Sequence, residues 1–171
     1  MSWVEKLKDD MSWALGFAME ERIKKYAPDI TSPIEFIMMQ GLIAVSISTH
    51  EEWPSINGKG RSANTSQKWK IETQKKIGRY RADFVLTDSL AKCSVVIECD
   101  GHDYHERTKE QAAHDRARDR ELQAQGYLVL RYTGSEIHAD PFGCALDVQT
   151  KIYEWRNMIP AAAQKRVEAT A

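Results

Sequence analysis

Arg79-Tyr80-Arg81-Ala82-Asp83-Phe84-Val85-Leu86 and, after a short interruption, Cys93-Ser94-Val95-Val96-Ile97-Glu98-Cys99-Asp100 are the stretches that decide how this chain folds. Both are rich in β-branched and aromatic residues, and Gly78 and Asp88-Ser89 bound them, so both read as strands. Side chains alternate across a strand. One face of the first strand then takes Tyr80, Ala82, Phe84 and Leu86, and the other takes Arg79, Arg81, Asp83 and Val85. The second strand divides into Cys93, Val95, Ile97 and Cys99 against Ser94, Val96, Glu98 and Asp100. Placed side by side, the two strands bring Asp83, Glu98 and Asp100 together at one end of a sheet.

Outward from this pair, residues 68–77 predict a third strand, with a turn at Gly78 before the next. Upstream, residues 3–26 carry Trp3, Leu7, Met11, Leu15 and Ala18 at helical spacing. Pro28 ends that helix, and Thr31-Ser32-Pro33-Ile34-Glu35 opens a second one, apolar through Phe36, Ile37, Leu42, Ile43 and Val45. The stretch 51–67, with Pro54, Asn57, Gly58, Gly60 and Asn64, holds too many breakers for regular structure and reads as a loop. Downstream, a charged helix is predicted over 107–125, stopped by Gly126, followed by an apolar strand at 127–132. A last helix starts at Asp140-Pro141, an N-cap with a first-turn proline, and the tail after Pro160 is expected to fray. The order α-α-β-β-β-α-β-α predicts an α/β fold with a mixed central sheet flanked by helices. With 171 residues one domain is expected: a helical extension at 1–30, a core at 31–137, and a C-terminal helix and tail at 138–171.

Apolar residues make up 42% and charged residues 29%, an ordinary globular composition that argues against disorder. No apolar run reaches the roughly 20 residues a membrane span needs. Residues 1–6 lack the build of a secretory signal, so a cytoplasmic location is expected. Cys93, Cys99 and Cys144 are odd in number and unpaired in spacing, which suits reduced thiols. The formal net charge is −1, but its distribution is uneven. Between Ile56 and Arg81 stand Lys59, Arg61, Lys68, Lys70, Lys75, Lys76, Arg79 and Arg81, interrupted by a single acid, Glu72. Such a stripe fits contact with a phosphate backbone, and equally a solvated loop and strand edge.

Three converging carboxylates repel one another and are costly to desolvate unless a cation sits between them. Oxygen ligands of this kind suit Mg²⁺ or Mn²⁺. Zinc fits less well: Cys99, His102, His105 and His114 lie close in sequence, but Cys99 should point away from Glu98.

Asp83 followed by Glu98-Cys99-Asp100 at the end of the next apolar strand resembles the Asp…Glu-x-Lys signature of the PD-(D/E)XK nucleases. Further residues extend the likeness: Val96-Ile97-Glu98-Cys99-Asp100-Gly101, a nearby histidine, Asp115-x-x-Arg118-Asp119-x-x-Leu122, Gly126-Tyr127 and Val129-Leu130-Arg131-Tyr132. Together they are similar to the very-short-patch-repair-type branch, over about residues 32–137. The resemblance implies a restriction-endonuclease-like core and metal-dependent cleavage of nucleic acid, DNA in the first instance. It implies Mg²⁺ or Mn²⁺ held by Asp83, Glu98, Asp100 and the backbone carbonyl of Cys99. The lysine position is Asp100, so the lysine's task with the attacking water passes elsewhere, and His105 is the candidate helper. Glu35 stands where the branch supplies a further acid, although Ser32-Pro33-Ile34-Glu35 also fits a capping box. Lys59, Arg61, Lys68, Lys70, Arg79 and Arg81 are the expected nucleic-acid contacts. A protein partner or a homodimer is a further expectation, as is a rival reading in which the fold binds nucleic acid without turnover or works only as a subunit of a larger assembly.

Overall fold

The computed structural model describes residues 3–50, 54–59, 69–89, 93–101 and 109–158. In chain order its elements are α1 (Trp3–Tyr26), α2 (Pro33–His50), β1 (Ser55–Ile56), β2 (Trp69–Ile77), β3 (Tyr80–Asp88), β4 (Cys93–Asp100), α3 (Lys109–Ala124), β5 (Leu128–Thr133), α4 (Gly134–Ala139) and α5 (Pro141–Met158). The five strands form one sheet in the order β1-β2-β3-β4-β5. β3 runs antiparallel to both β2 and β4, while β1 pairs parallel to β2 and β5 parallel to β4. The expected mixed sheet with flanking helices is the fold observed.

The two faces of the sheet are unequal. The larger core joins Ile71, Phe84, Leu86, Val95 and Ile97 to Met19 and Ile23 of α1, Met38, Met39, Leu42 and Ile43 of α2, Ile137 of α4 and Val148 of α5. α2 is the buried keystone, because its apolar residues run all round the helix and not along one stripe. The smaller cluster joins Val85 and Val96 to Leu122, the apolar contribution of the otherwise charged α3. α3 stops where Gly126 takes φ 90. There Tyr127 N–H donates to Leu122 C=O and Gly126 N–H to Gln123 C=O, which caps the last turn.

α2 and α5 touch closely enough to leave no room at Gly41. A Cβ there would lie 2.2 Å from the Pro141 carbonyl oxygen. Gly41→Ala must therefore separate two helices of the main core, and it is expected to cost about 2 kcal/mol in a urea unfolding curve. Unchanged stability would mean that α5 sits looser on α2 than described.

Three expectations are corrected. The breaker-rich stretch contains a short strand, β1, fixed by the amide of Asn57. That side chain donates to Tyr26 C=O (2.9 Å) and Thr73 Oγ1 (2.8 Å) and accepts from Thr73 N–H (2.9 Å). A short helix, α4, follows β5 directly, started by a capping box between Thr133 and Glu136. Most consequential, the strict alternation assigned to β3 fails in the middle of the strand. Thr73 pairs with Phe84 and Lys75 with Ala82, but the intervening Gln74 and Asp83 are not a bonded pair, and Gln74 has φ 48. On one side of this break Ile71, Phe84 and Leu86 enter the larger core. On the other, Ile77 and Ala82 enter the smaller one. Ala82 and Phe84 therefore lie on opposite faces, and Asp83 sits at the switch point.

Candidate active site

The register of β3 on β4 decides the site. Phe84 pairs with Ile97, so the next positions in that register, Asp83 and Glu98, stand opposite each other on adjacent strands. Asp83 Oδ2 accepts the Cys99 N–H at 2.8 Å, which ties its carboxylate to β4. Glu98 lies beside Arg131 on the parallel β5, in a register that also aligns Asp100 with Thr133. Glu35 reaches the same place from the first turn of α2: its Oε2 accepts from Gln74 Nε2 at 2.7 Å. The carboxylate thus turns to the sheet, not back along its own helix. Gln74 also favours the charged form of Asp83, so this one amide acts on two of the expected acids. Sequence reading passed over Gln74, because a glutamine amid lysines on a strand carries no chemical signature.

Asp100 is engaged by an arginine. Arg131 Nη1 donates to Asp100 Oδ1 at 3.2 Å, while its Nη2 and Nε donate to Asp119 Oδ1 at 2.8 Å and Oδ2 at 3.1 Å. The arginine in the apolar β5 strand is therefore a brace between β4 and α3. Among the described residues, no three Asp, Glu, His or Cys side chains are grouped to hold one ion. Of the expected acids, Asp83 and Glu98 stand at facing positions, and Glu35 is close enough to act on the charge of Asp83.

Arg118, from α3, covers that pair. Its Nη2 donates to Glu98 Oε1 and, at 2.8 Å, to Arg81 C=O. Its guanidinium also stands 5.7 Å from the centre of the Tyr80 ring. The Glu98 and Arg118 side chains are only 7% and 14% exposed.

The electrostatics follow from burial. Glu98 has its pKa pushed up to about 7, first by loss of water and then by the charge of Asp83, against the pull of Arg118. Asp83 is raised too, by burial, although the Cys99 N–H, Arg118 and Gln74 all favour its charged form. Glu35 moves the same way, by burial and by Asp83. An acid whose proton affinity rises on folding stabilises the fold at low pH, and that stability is lost as pH climbs through the folded pKa. In EDTA, stability should therefore fall between about pH 4.5, the ordinary Glu98 value, and about pH 7. The fall should be on the order of 3 kcal/mol. Urea midpoints across this window should drop for the native chain and drop less for Glu98→Gln, and equal slopes would show that Glu98 is ionised throughout.

These acids fit a hard divalent cation. The donor set is oxygen only, and its carboxylates are short of compensating charge in a site that holds them close. Two carboxylates are enough for Mg²⁺, which keeps several waters and takes phosphate oxygens as further ligands.

The basic stripe is only partly available to an anionic ligand. Arg79 donates to Glu121 and to Tyr80 OH, and Lys70 and Lys75 lie 3.6 and 2.6 Å from Glu72. Arg81 is exposed and near enough to Glu35 to act on its charge, and Lys59 is exposed on the turn after β1. Arg61, Lys68 and His105 lie outside the described residues.

The family model described as REase_MTES_1575 matches residues 62–152, just over half of the chain and all of β2 through most of α5. The chain belongs to this family. It is a restriction-endonuclease-like family, of the PD-(D/E)XK nuclease type, and nuclease chemistry is its activity class. No match was found among curated proteins or among solved structures. As a member of the REase_MTES_1575 family, the chain carries the family's match across both strands that bear Asp83 and Glu98. No helix among the described residues is long and apolar enough to cross a membrane.

Proposed function

We propose that this REase_MTES_1575-family protein is a Mg²⁺- or Mn²⁺-dependent endonuclease that hydrolyses phosphodiester bonds in DNA, in the cytoplasm. Within the superfamily, its motifs through Arg131 favour the very-short-patch-repair-like branch. The observation that carries the reading is the pair of acids at facing positions on antiparallel neighbours, with Glu98 buried and Asp83 half-buried. Two acids held side by side and largely away from water are best explained by a cation they serve.

Asp83 and Glu98 would hold the ion, with the Cys99 carbonyl as a third oxygen ligand. When bound, Mg²⁺ polarises the phosphate and acidifies water at neutral pH, which lessens the need for a motif lysine. The other tasks fall to the chain. Gln74 would hold the Glu35 carboxylate and favour the charged form of Asp83, and Glu35 would accept a proton or a hydrogen bond from the attacking water. Arg131 holds Asp100 and Asp119, so β4 and α3 keep their spacing around Glu98. Lys59, Arg61, Lys68 and Arg81 would contact the backbone, which gives affinity without sequence information.

Cleavage of a plasmid or a labelled duplex should require Mg²⁺ or Mn²⁺ and stop in EDTA. Ca²⁺ should support binding with little turnover, because its longer, looser coordination positions water poorly. Undiminished cleavage in EDTA would overturn the metal mechanism. Metal-dependent binding with no cleavage under any divalent ion would favour the rival, a nuclease fold that only binds.

A further inference from the structure

Arg118 occupies the place where a cation is wanted. One of its nitrogens serves both Glu98 Oε1 and the carbonyl of Arg81, so the guanidinium spans β4 and β3 directly over the candidate metal carboxylates. It is almost buried, yet among the described residues its Nε–H has no hydrogen-bond partner. A structural arginine of this depth normally spends its donors, as Arg131 does on two carboxylates with three nitrogens. Arg118 instead holds one carboxylate oxygen and keeps a donor in reserve.

We propose that Arg118 is a further substrate-positioning residue: it stands in for the divalent cation on Glu98 and passes to the scissile phosphate when the ion takes that carboxylate. The inference rests on the metal-dependent reading above. A guanidinium on Oε1 competes with a metal for the charge of the same carboxylate, and two cations at one carboxylate repel each other. An ion bound at Glu98 therefore weakens the hold of Arg118 on Oε1. A guanidinium released there would be free to contact a phosphate brought to the site, and its planar fork matches two phosphate oxygens. The Nε–H is the donor this second position needs. The fold makes the movement short: Arg118 lies on α3, which touches the sheet through Leu122 and the Arg131 brace, so only the side chain has to turn.

The test is a pair of binding measurements on Arg118→Gln, neither of which reads turnover. By calorimetry without nucleic acid, the variant should bind Mn²⁺ at least about tenfold more tightly than the native chain, since a competing charge a few ångströms away is removed. With a fluorescein-labelled duplex in Ca²⁺ buffer, the same variant should bind about tenfold more weakly, the loss of one charge-assisted contact. A merely structural arginine would, when lost, loosen Glu98 and weaken both, and that result overturns the proposal. Arg118→Lys keeps a charge but not the fork, and it should fall between the native chain and Arg118→Gln in both titrations. It carries the test if the glutamine variant does not fold. If the native chain binds no divalent ion, the metal-dependent reading itself fails, and this inference with it.

Discussion

Glu98→Gln should lower the rate of Mg²⁺-dependent cleavage by roughly 10³-fold, because glutamine keeps the shape and removes the charge that holds the ion, which is worth several kcal/mol in the transition state. The same substitution should not damage the fold. Burial already raises the pKa of Glu98 to about 7, so a neutral side chain is close to what the metal-free protein prefers. The residue therefore contributes to function at some expense to stability, a combination common at catalytic centres. Single-turnover cleavage and urea unfolding on the same preparation separate the two effects. Activity within a few fold of the native chain, in protein shown free of contaminating nuclease, would remove Glu98 from the mechanism.

Arg131→Met should be the most destabilising change at the site. Methionine fills a similar volume but takes the cation from Asp100 and Asp119 together, whose side chains are 8% and 25% exposed. Losing one partner of a buried ion pair costs about 3–5 kcal/mol, and about 3 is expected here because Asp119 is partly wet. Adding Asp119→Asn to Arg131→Met should return a measurable part of the loss, since the damage is uncompensated charge and not missing volume. A single variant as stable as the native chain would mean that the brace between β4 and α3 carries no weight. In that case Glu98 would have to be held by Arg118 and by the β3–β4 ladder alone.

Much of this site was legible in the sequence, for a physical reason. Apolar alternation fixes which stretches are strands, and the short connections around Gly78 and Asp88-Ser89 force antiparallel neighbours. Once Arg79–Leu86 and Cys93–Asp100 are neighbours, Asp83 and Glu98 must lie close, whatever the rest of the fold does. The proline and glycine signals at Pro33, Gly126 and Pro141 likewise work locally, and those boundaries stand within a residue or two. Periodicity fails where the backbone itself departs from the strand. Gln74 adopts φ 48, a conformation no glutamine announces, and from there the two faces exchange. Ala82 was assigned to the Phe84 face for that reason alone. The capping box at Thr133 and Glu136 was present as Thr-x-x-Glu, but the strand before it runs straight into the helix with no breaker to draw attention.

Partners chosen across the fold are the other class that escapes a linear reading. Arg118, Asp119 and Arg131 were recognisable as supporting residues, and a guanidinium within an apolar strand does demand a carboxylate. Which one it takes depends on how α3 lies over β4 and β5. Arg131 meets both Asp100 and Asp119, so Asp100, expected as a metal ligand, also takes part in the brace. Arg118 meets Glu98, and this gives the supposed metal ligand a resident cation. The stripe of basic residues shows the same dependence on the fold: Arg79 and Lys75 are engaged by Glu121 and Glu72.

The central claim is that Asp83 and Glu98 together hold a catalytic divalent ion. An anomalous difference map from crystals soaked in Mn²⁺ tests it directly. The account predicts one strong peak between the two carboxylates, within about 2.0–2.3 Å of an oxygen from each, as hard-cation coordination requires, with Arg118 turned off Glu98. A map with no peak there at saturating Mn²⁺, or with the ion bound only at other acids while Arg118 keeps its hold on Glu98, would contradict it.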